Sequence, residues 1–286
     1  MYKFHPIRKT LVWGTESWVL SGVPGAESVV DGGPDDGKTV SEVYRRPFPL
    51  LVKFIDARKD LSIQVHPDDA IAAARHSCSG KTEMWYVIRA ERDAKLVSGF
   101  SRQIDPEQYE RLVRSDEIAS VLASYSVRPG DVFYLPAGRV HAIGAGCYLA
   151  EIQQPSDITY RIYDYGRPGL DGLPRHLHTE EAKTAIDYRV QSDYRTHYVP
   201  QKDAEVALVA CPYFRTGLLD LDSVFVRGFS GEGDFVTLVC LEGGCTVRTG
   251  ESSAELSAGE TLLILSSEGE FSIEPHTAVK LLTAER

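Results

Sequence analysis

The segment Leu61-Ser-Ile-Gln-Val-His-Pro67 sets Gln64 and His66 two residues apart. In a strand, positions i and i+2 point to one face, so an amide oxygen and an imidazole are aimed at the same point. Two other segments offer further donors: Gly80-Lys-Thr-Glu-Met-Trp-Tyr86 brings Glu83, and Gly130-Asp-Val-Phe-Tyr-Leu-Pro-Ala-Gly-Arg-Val-His141 brings His141. Two imidazoles, one carboxylate and one amide oxygen suit Zn²⁺ or another divalent first-row ion. Taken singly, each has a plainer reading. A Gln and a His on a strand are commonly polar residues at a sheet surface, and most Glu are solvated. The metal reading rests on the four occurring together.

The stretches that must position these donors read as β structure. Residues 48–56 and 61–66 form two apolar strands, the second ended by Pro67, which cannot donate to a ladder. Residues 83–88 are rich in aromatic and β-branched side chains. Residues 131–136 run into a Pro-x-Gly corner, and residues 140–143 open the next strand. Residues 148–153 and 159–163 are further strands, and residues 11–21 read as strand–turn–strand. Helical signals are few. Asp68-Asp69 supplies an N-cap for a short helix from Ala70 to about Arg75. Asp105 and Pro106 open a helical insertion over about residues 103–126, where Tyr109, Leu112, Val113, Ile118 and Val121 recur at helical spacing. Residues 175–185 are helix-compatible, which places His176 and His178 on diverging sides.

Composition narrows the function. The chain has 286 residues, 43% hydrophobic and 25% charged, which is ordinary for a globular protein. A net charge of −10 argues against nucleic acid or an anionic membrane as the main partner. It does not exclude a small anion, which a few local Arg and Lys can hold. The first residues lack the apolar core of a secretory signal, and five cysteines without a C-x-x-C pair read as reduced thiols in a cytoplasmic protein. The Asp31-to-Gly37 loop is Gly-rich but lacks phosphate-loop spacing. Beyond a polar connection at about residues 190–203, short strands at turn-punctuated intervals predict a second β module. Its segment Leu256-Ser-Ala-Gly-Glu-Thr-Leu-Leu-Ile264 weakly repeats Val127-Arg-Pro-Gly-Asp-Val-Phe-Tyr-Leu135, but without a Pro-x-Gly corner or a His. No metal is expected there.

Residues 130–141 fit the spacing G-x5-P-x-G-x2-H, which resembles the second motif of the cupins, small jelly-roll barrels with a metal in the mouth. Together with Leu61 to Asp69, Gly80 to Tyr86 and Glu151-Ile-Gln-Gln-Pro-Ser-Asp-Ile-Thr-Tyr-Arg-Ile-Tyr-Asp164, the set resembles the type I mannose-6-phosphate isomerases in their short bacterial form. The resemblance covers most of residues 9–180. It implies a mostly β protein: a cupin-type jelly-roll barrel with a small helical insertion in a catalytic domain of residues 1–200, and a metal-free β module of residues 201–286.

The resemblance also implies one zinc ion held by Gln64, His66, Glu83 and His141. It implies a catalytic Arg161, and substrate contacts from Ser62, Lys81 and Arg167. The activity implied is interconversion of mannose-6-phosphate and fructose-6-phosphate through an enediol, with a sugar phosphate as the small-molecule partner. Lys81 and Glu151 are both open as the base. Two rivals stand beside this reading. A cupin oxygenase or epimerase on another metal is disfavoured by Gln64 and the Arg161 segment. A non-catalytic phosphosugar-binding cupin is disfavoured by an intact Arg161 and Lys81.

Overall fold

The structure, a computed structural model, describes residues 1–229, 234–250 and 252–286. The chain opens with β1 (Ile7–Leu11) and β2 (Gly14–Ser21), then α1 (Val40–Tyr44) and β3 (Leu51–Ala57). It continues through β4 (Ile63–Val65), α2 (Asp69–His76), β5 (Glu83–Ala90), β6 (Lys95–Phe100) and α3 (Pro106–Arg114). After a 3₁₀ turn at Ile118–Val121 come β7 (Leu122–Ser126), β8 (Val132–Leu135), β9 (His141–Ile143), β10 (Cys147–Gln153) and β11 (Tyr160–Tyr163). Helix α4 (Thr179–Ala185) and β12 (Arg195–Thr196) come next. The remainder holds β13 (Glu205–Ala210), β14 (Arg215–Leu221), β15 (Phe225–Arg227), β16 (Phe235–Thr249), β17 (Ser252–Ser257), β18 (Thr261–Leu265) and β19 (Phe271–Glu285).

The protein is mostly β. One sheet has the order β1-β2-β3-β10-β5-β8-β12 and a second the order β11-β4-β9-β6-β7. One apolar cluster takes Ile55, Trp85, Phe133 and Leu149 from the first sheet and Leu96 and Ile143 from the second, so the two sheets pack face to face as in a jelly roll. The other face of the five-stranded sheet is also covered. Ile63, Val65, Ala142 and Ile162 pack there with Tyr109 of α3 and Ala182 of α4. For α2 and α3 the cap falls where the sequence reading placed it, Asp68 being the cap within Asp68-Asp69. Asp68 accepts from Ile71 N–H, and Asp105 accepts from Gln108 N–H with Pro106 in the first turn.

Two boundaries differ from expectation. The insertion gives way to strand at Leu122, because residues 122–126 pair with β6. The helix-compatible stretch is helical only from Thr179; residues 175–178 lie outside it, with His178 at the N-cap position.

The chain divides into two compact units. One comprises residues 8–17 and 53–195, the other residues 1–7, 18–52 and 196–286. The second contains a sheet of order β13-β14-β19-β16-β17, with β15 paired to β19 and β18 to β16. Its core is a closed set of apolar side chains, among them Leu238, Val247, Leu262, Phe271 and Leu281. No helix among the described residues is long and apolar enough to cross a membrane.

Candidate metal centre and substrate cavity

Three neighbouring strands set up one side of the site. On β4, Ile63 and Val65 face the helices, so Gln64 faces the interior. The register pairs Gln64 with His141 on β9 and with Arg161 on β11. Directly opposed residues of antiparallel strands project to the same face with their Cβ atoms about 5 Å apart. Arg161, Gln64 and His141 therefore form one row. The opposite sheet supplies Glu83, at the start of β5, on the face shared with Trp85 and Val87.

Turns lock the row together. Gly138 has φ +87° at the Pro-x-Gly corner, and its N–H donates to the His66 carbonyl at 2.9 Å. Thr82 ties the Glu83 segment to that corner, its hydroxyl accepting from Ala137 N–H at 3.2 Å. Gly80 permits a close approach: a Cβ there would lie 2.5 Å from the Asp68 carbonyl carbon.

His66, Glu83 and His141 converge with their ligand atoms within 4.8 Å of one another, all buried. His66 Nε2 is 3.4 Å from Glu83 Oε2, and His141 Nε2 is 3.3 Å from Glu83 Oε1. Each imidazole Nδ1 meets a backbone carbonyl, Ile158 at 2.9 Å and Arg139 at 2.8 Å. Those contacts place the ring proton on Nδ1 and leave Nε2 as a lone pair facing the cluster. The Gln64 amide lies 3.3 Å from His141 Nε2, and a half-turn of the amide exchanges its nitrogen for its oxygen. Lys81 Nζ is 3.2 Å from Glu83 Oε2.

The electrostatics suit a cation. Burial pushes the His66 imidazolium pKa down to about 3, with Lys81 adding to the effect, and burial lowers that of His141 as well. Both rings are thus neutral donors. Burial opposes ionisation of Glu83, but the Lys81 charge holds its carboxyl well below the ordinary range. His66 Nε2 and both Glu83 oxygens are buried without a hydrogen bond among the described residues. Buried polar atoms are normally satisfied, and a divalent ion would satisfy these three at once. The residues present therefore fit a metal.

In front of this cluster lies a cavity of about 300 Å³. Gln64 and Lys81 line it and also touch His141 and Glu83, so they join the cavity to the donors. Ser62, Glu151 and Arg161 line it too, as does Arg175. Arg167 is not among the lining residues; its guanidinium bonds Asp164 Oδ1 and the Asp60 carbonyl. Sequence reading missed three lining cations, Lys9, Lys53 and Arg175. Lys53 on β3 is 2% exposed, 3.1 Å from Glu151 Oε1 and 3.8 Å from Glu16 Oε2. Its signal was a single Lys inside an apolar run, alternating with Ile55 and Ala57. Arg175 carried no signal, because a loop brings it back to the site. Glu151 also accepts from Trp85 Nε1 at 2.8 Å, and burial together with the nearby Glu83 charge raises its carboxyl.

Comparison with known proteins puts a family to this geometry. Residues 30–121 match the family model for the catalytic domain of type I phosphomannose isomerase. The chain is 32% identical to mannose-6-phosphate isomerase ManA of Bacillus subtilis over 95% of both chains. This chain belongs to the type I mannose-6-phosphate isomerase family. It is also 35% identical to the mannose-6-phosphate isomerase of Streptococcus mutans, over 70% of this chain and 66% of that one. The crystal structure of the mannose 6-phosphate isomerase from Bacillus subtilis superposes with TM-score 0.89 at 27% identity, over 99% and 98% of the two chains. A variant of phosphomannose isomerase from Salmonella typhimurium shares the fold at 16% identity and TM-score 0.77.

Proposed function

We propose that the protein is a metal-dependent aldose–ketose isomerase that interconverts mannose-6-phosphate and fructose-6-phosphate through an enediol. The observation that carries this is the row Arg161–Gln64–His141 facing Glu83 and His66 at one wall of a cavity lined by Lys and Arg. We assign the metal as Zn²⁺, on a donor set of two imidazole nitrogens, a carboxylate and an amide oxygen. Bound there, the ion supplies Lewis-acid polarisation of a carbonyl and stabilises charge on oxygen.

The other steps belong to side chains. Isomerisation moves a proton between the first two sugar carbons, so it needs a base close to both. We assign this to Glu151, which lines the cavity and whose raised carboxyl is a stronger base than an ordinary glutamate. Trp85 N–H and the Lys53 ammonium hold its two oxygens in place. Arg161 presents a guanidinium that never gives up its proton at working pH, beside the amide of Gln64, to stabilise the enediolate oxygens. Lys81 and Ser62 donate to substrate hydroxyls or carbonyl, with Lys81 restrained by Glu83.

A coupled assay tests this reading. Formation of fructose-6-phosphate from mannose-6-phosphate is followed on purified protein, after chelator treatment and after Zn²⁺ is added back. Activity should vanish with chelator and return with Zn²⁺. A metal-loaded protein that turns over no mannose-6-phosphate would refute it.

A further inference from the structure

We propose that Arg175, presented by Asp164, is the guanidinium that receives the phosphate group of the sugar phosphate. The proposal rests on the isomerase reading above and assigns a residue that the sequence motifs pass over.

Asp164 is 5% exposed and serves two arginines. Arg175 binds it side-on, Nε to Oδ2 at 2.6 Å and one terminal nitrogen to Oδ1 at 2.6 Å. Arg167 reaches Oδ1 with Nε at 2.9 Å and with a terminal nitrogen at 2.7 Å, and gives its other terminal nitrogen to the Asp60 carbonyl. All three nitrogens of Arg167 are therefore engaged, and its guanidinium lies 5.5 Å from the centre of the Tyr165 ring. Arg175 differs. Of its five N–H groups the side-on pair uses two, and the other three have no partner among the described residues. Arg175 lines the cavity, whereas Arg167 does not.

Charge points the same way. One carboxylate offsets one of the two guanidiniums, which leaves a surplus positive charge at the cavity wall. Arg161 adds a second, and its Nε is buried without a hydrogen bond among the described residues. Burial and the charges of Arg175 and Arg167 disfavour the Arg161 cation, and the Asp164 carboxylate favours it. A dianion on Arg175 offsets that positive charge and fills its three vacant N–H donors with charge-assisted hydrogen bonds, while Arg161 stays at the metal end of the cavity. Bidentate fixing by Asp164 removes most of the rotamer freedom that Arg175 would otherwise lose on binding, and an Arg161 Nη1 bond to the His176 carbonyl at 2.9 Å ties the segment that carries Arg175 to the site.

The test compares Arg175→Gln, Arg175→Lys and Arg167→Gln with the parent protein. Measured are KM and kcat for mannose-6-phosphate, competitive inhibition by inorganic phosphate, and the thermal shift that inorganic phosphate induces without turnover. Arg175→Gln should raise KM and the phosphate inhibition constant together, by about ten- to a hundredfold, with kcat changed far less. Arg175→Lys should fall between the two, and Arg167→Gln should shift KM less than Arg175→Gln does. KM and phosphate inhibition within about twofold of the parent in Arg175→Gln, or a fall in kcat alone, overturns the assignment. Should Arg175→Gln fail to fold, Arg175→Lys decides by the same criteria. The thermal shift separates the two readings. If the parent turns over no sugar phosphate but is stabilised by inorganic phosphate while Arg175→Gln is not, the isomerase reading fails and the Arg175 assignment stands. Equal stabilisation of both proteins overturns the assignment whatever the activity.

Discussion

Two turns in the molecule are built alike and lead to opposite ends. Before β8, Gly130 (φ +91°) donates to the Val87 carbonyl, Asp131 N–H donates to the Arg128 carbonyl, and the Asp131 carboxylate accepts from Arg128 N–H. Before β18, Gly259 (φ +88°) donates to the Cys240 carbonyl, Glu260 N–H to the Ser257 carbonyl, and the Glu260 carboxylate accepts from Ser257 N–H. The weak repeat in the sequence is thus a repeat of structure. The two chains of residues diverge after the turns. Strand β8 runs into the Gly138 corner and His141; strand β18 runs into a 3₁₀ turn at Ser266–Glu268. The interiors differ in the same sense. Lys53, His66, Lys81, Glu83, His141 and Glu151 are all at most 3% exposed in the unit of residues 8–17 and 53–195. In the other unit the buried polar residues are Ser and Thr alone, among the described residues. Desolvated charges weaken a fold unless paired. Six of them buried together in one unit are therefore a cost that the other unit does not carry.

The largest effect should come from making the two corners alike. His141→Ala gives the β8–β9 corner the His-free character of the β18 turn. It should lower turnover by about 10³-fold or more and lower bound metal with it. Metal content by elemental analysis beside the isomerase rate checks this, and full activity would falsify the assigned site. Arg161→Ala is the next test. It removes the guanidinium beside Gln64 but no donor atom of the cluster. Turnover should fall by about 10²–10³-fold with metal content unchanged. Loss of metal instead would make Arg161 a structural support of the donor row.

A third variant asks whether the buried charges cost stability as the comparison implies. Lys53→Met strands Glu151 against Glu83 and Glu16 with its ion-pair partner gone. Removing one member of a buried pair costs about 3–5 kcal/mol. Lys53→Met with Glu151→Leu gives this interior the apolar character of the Leu238 and Val247 cluster and should recover much of that loss, with activity absent in both. Denaturant midpoints decide: a double variant no more stable than the single one would show that the pair is not held against a desolvation cost.

Much of this contrast was legible in the sequence. Gln64, His66, Glu83 and His141 each sit in a strand or at a corner whose alternation and Pro-x-Gly spacing fix the direction of the side chain. Local rules gave those directions, as they gave the Asp105 cap, while the grouping of the four came from the family resemblance. The missing residues depended on non-local pairing. Lys53 faces the site only because β3 lies beside β10 in the sheet, which no local pattern states. Arg175 faces it because residues 175–178 return along the outer edge of β11, where His178 N–H donates to the Arg161 carbonyl at 2.7 Å. A helix-compatible reading of that stretch hid the return. The expectation for Arg167 came from the family resemblance, which could not reveal that Asp164 and Asp60 engage all its nitrogens.

The smallest effect tests the Asp164 pair by acid. Burial opposes ionisation of Asp164, but hydrogen bonds from Arg175 and Arg167 outweigh it and hold the carboxyl below the ordinary value of about 3.9. The folded state therefore binds this proton less readily than the unfolded chain. Stability from the group is fully present above about pH 4 and is lost as pH falls through the depressed folded value. Asp164→Asn keeps the shape and cannot ionise, so it lacks that contribution at every pH. The gap in melting midpoint between the parent and Asp164→Asn should be constant from about pH 5 to 7 and should narrow below about pH 4. A gap that instead widens in acid would mean the carboxyl is raised and its two guanidinium partners are not held as described. Carboxyls held low in the other unit, such as Glu268 beside the N-terminal ammonium, are shared by parent and variant and cancel in the gap, so the narrowing should follow the arginine pair and disappear when Arg167 and Arg175 are both replaced by Gln.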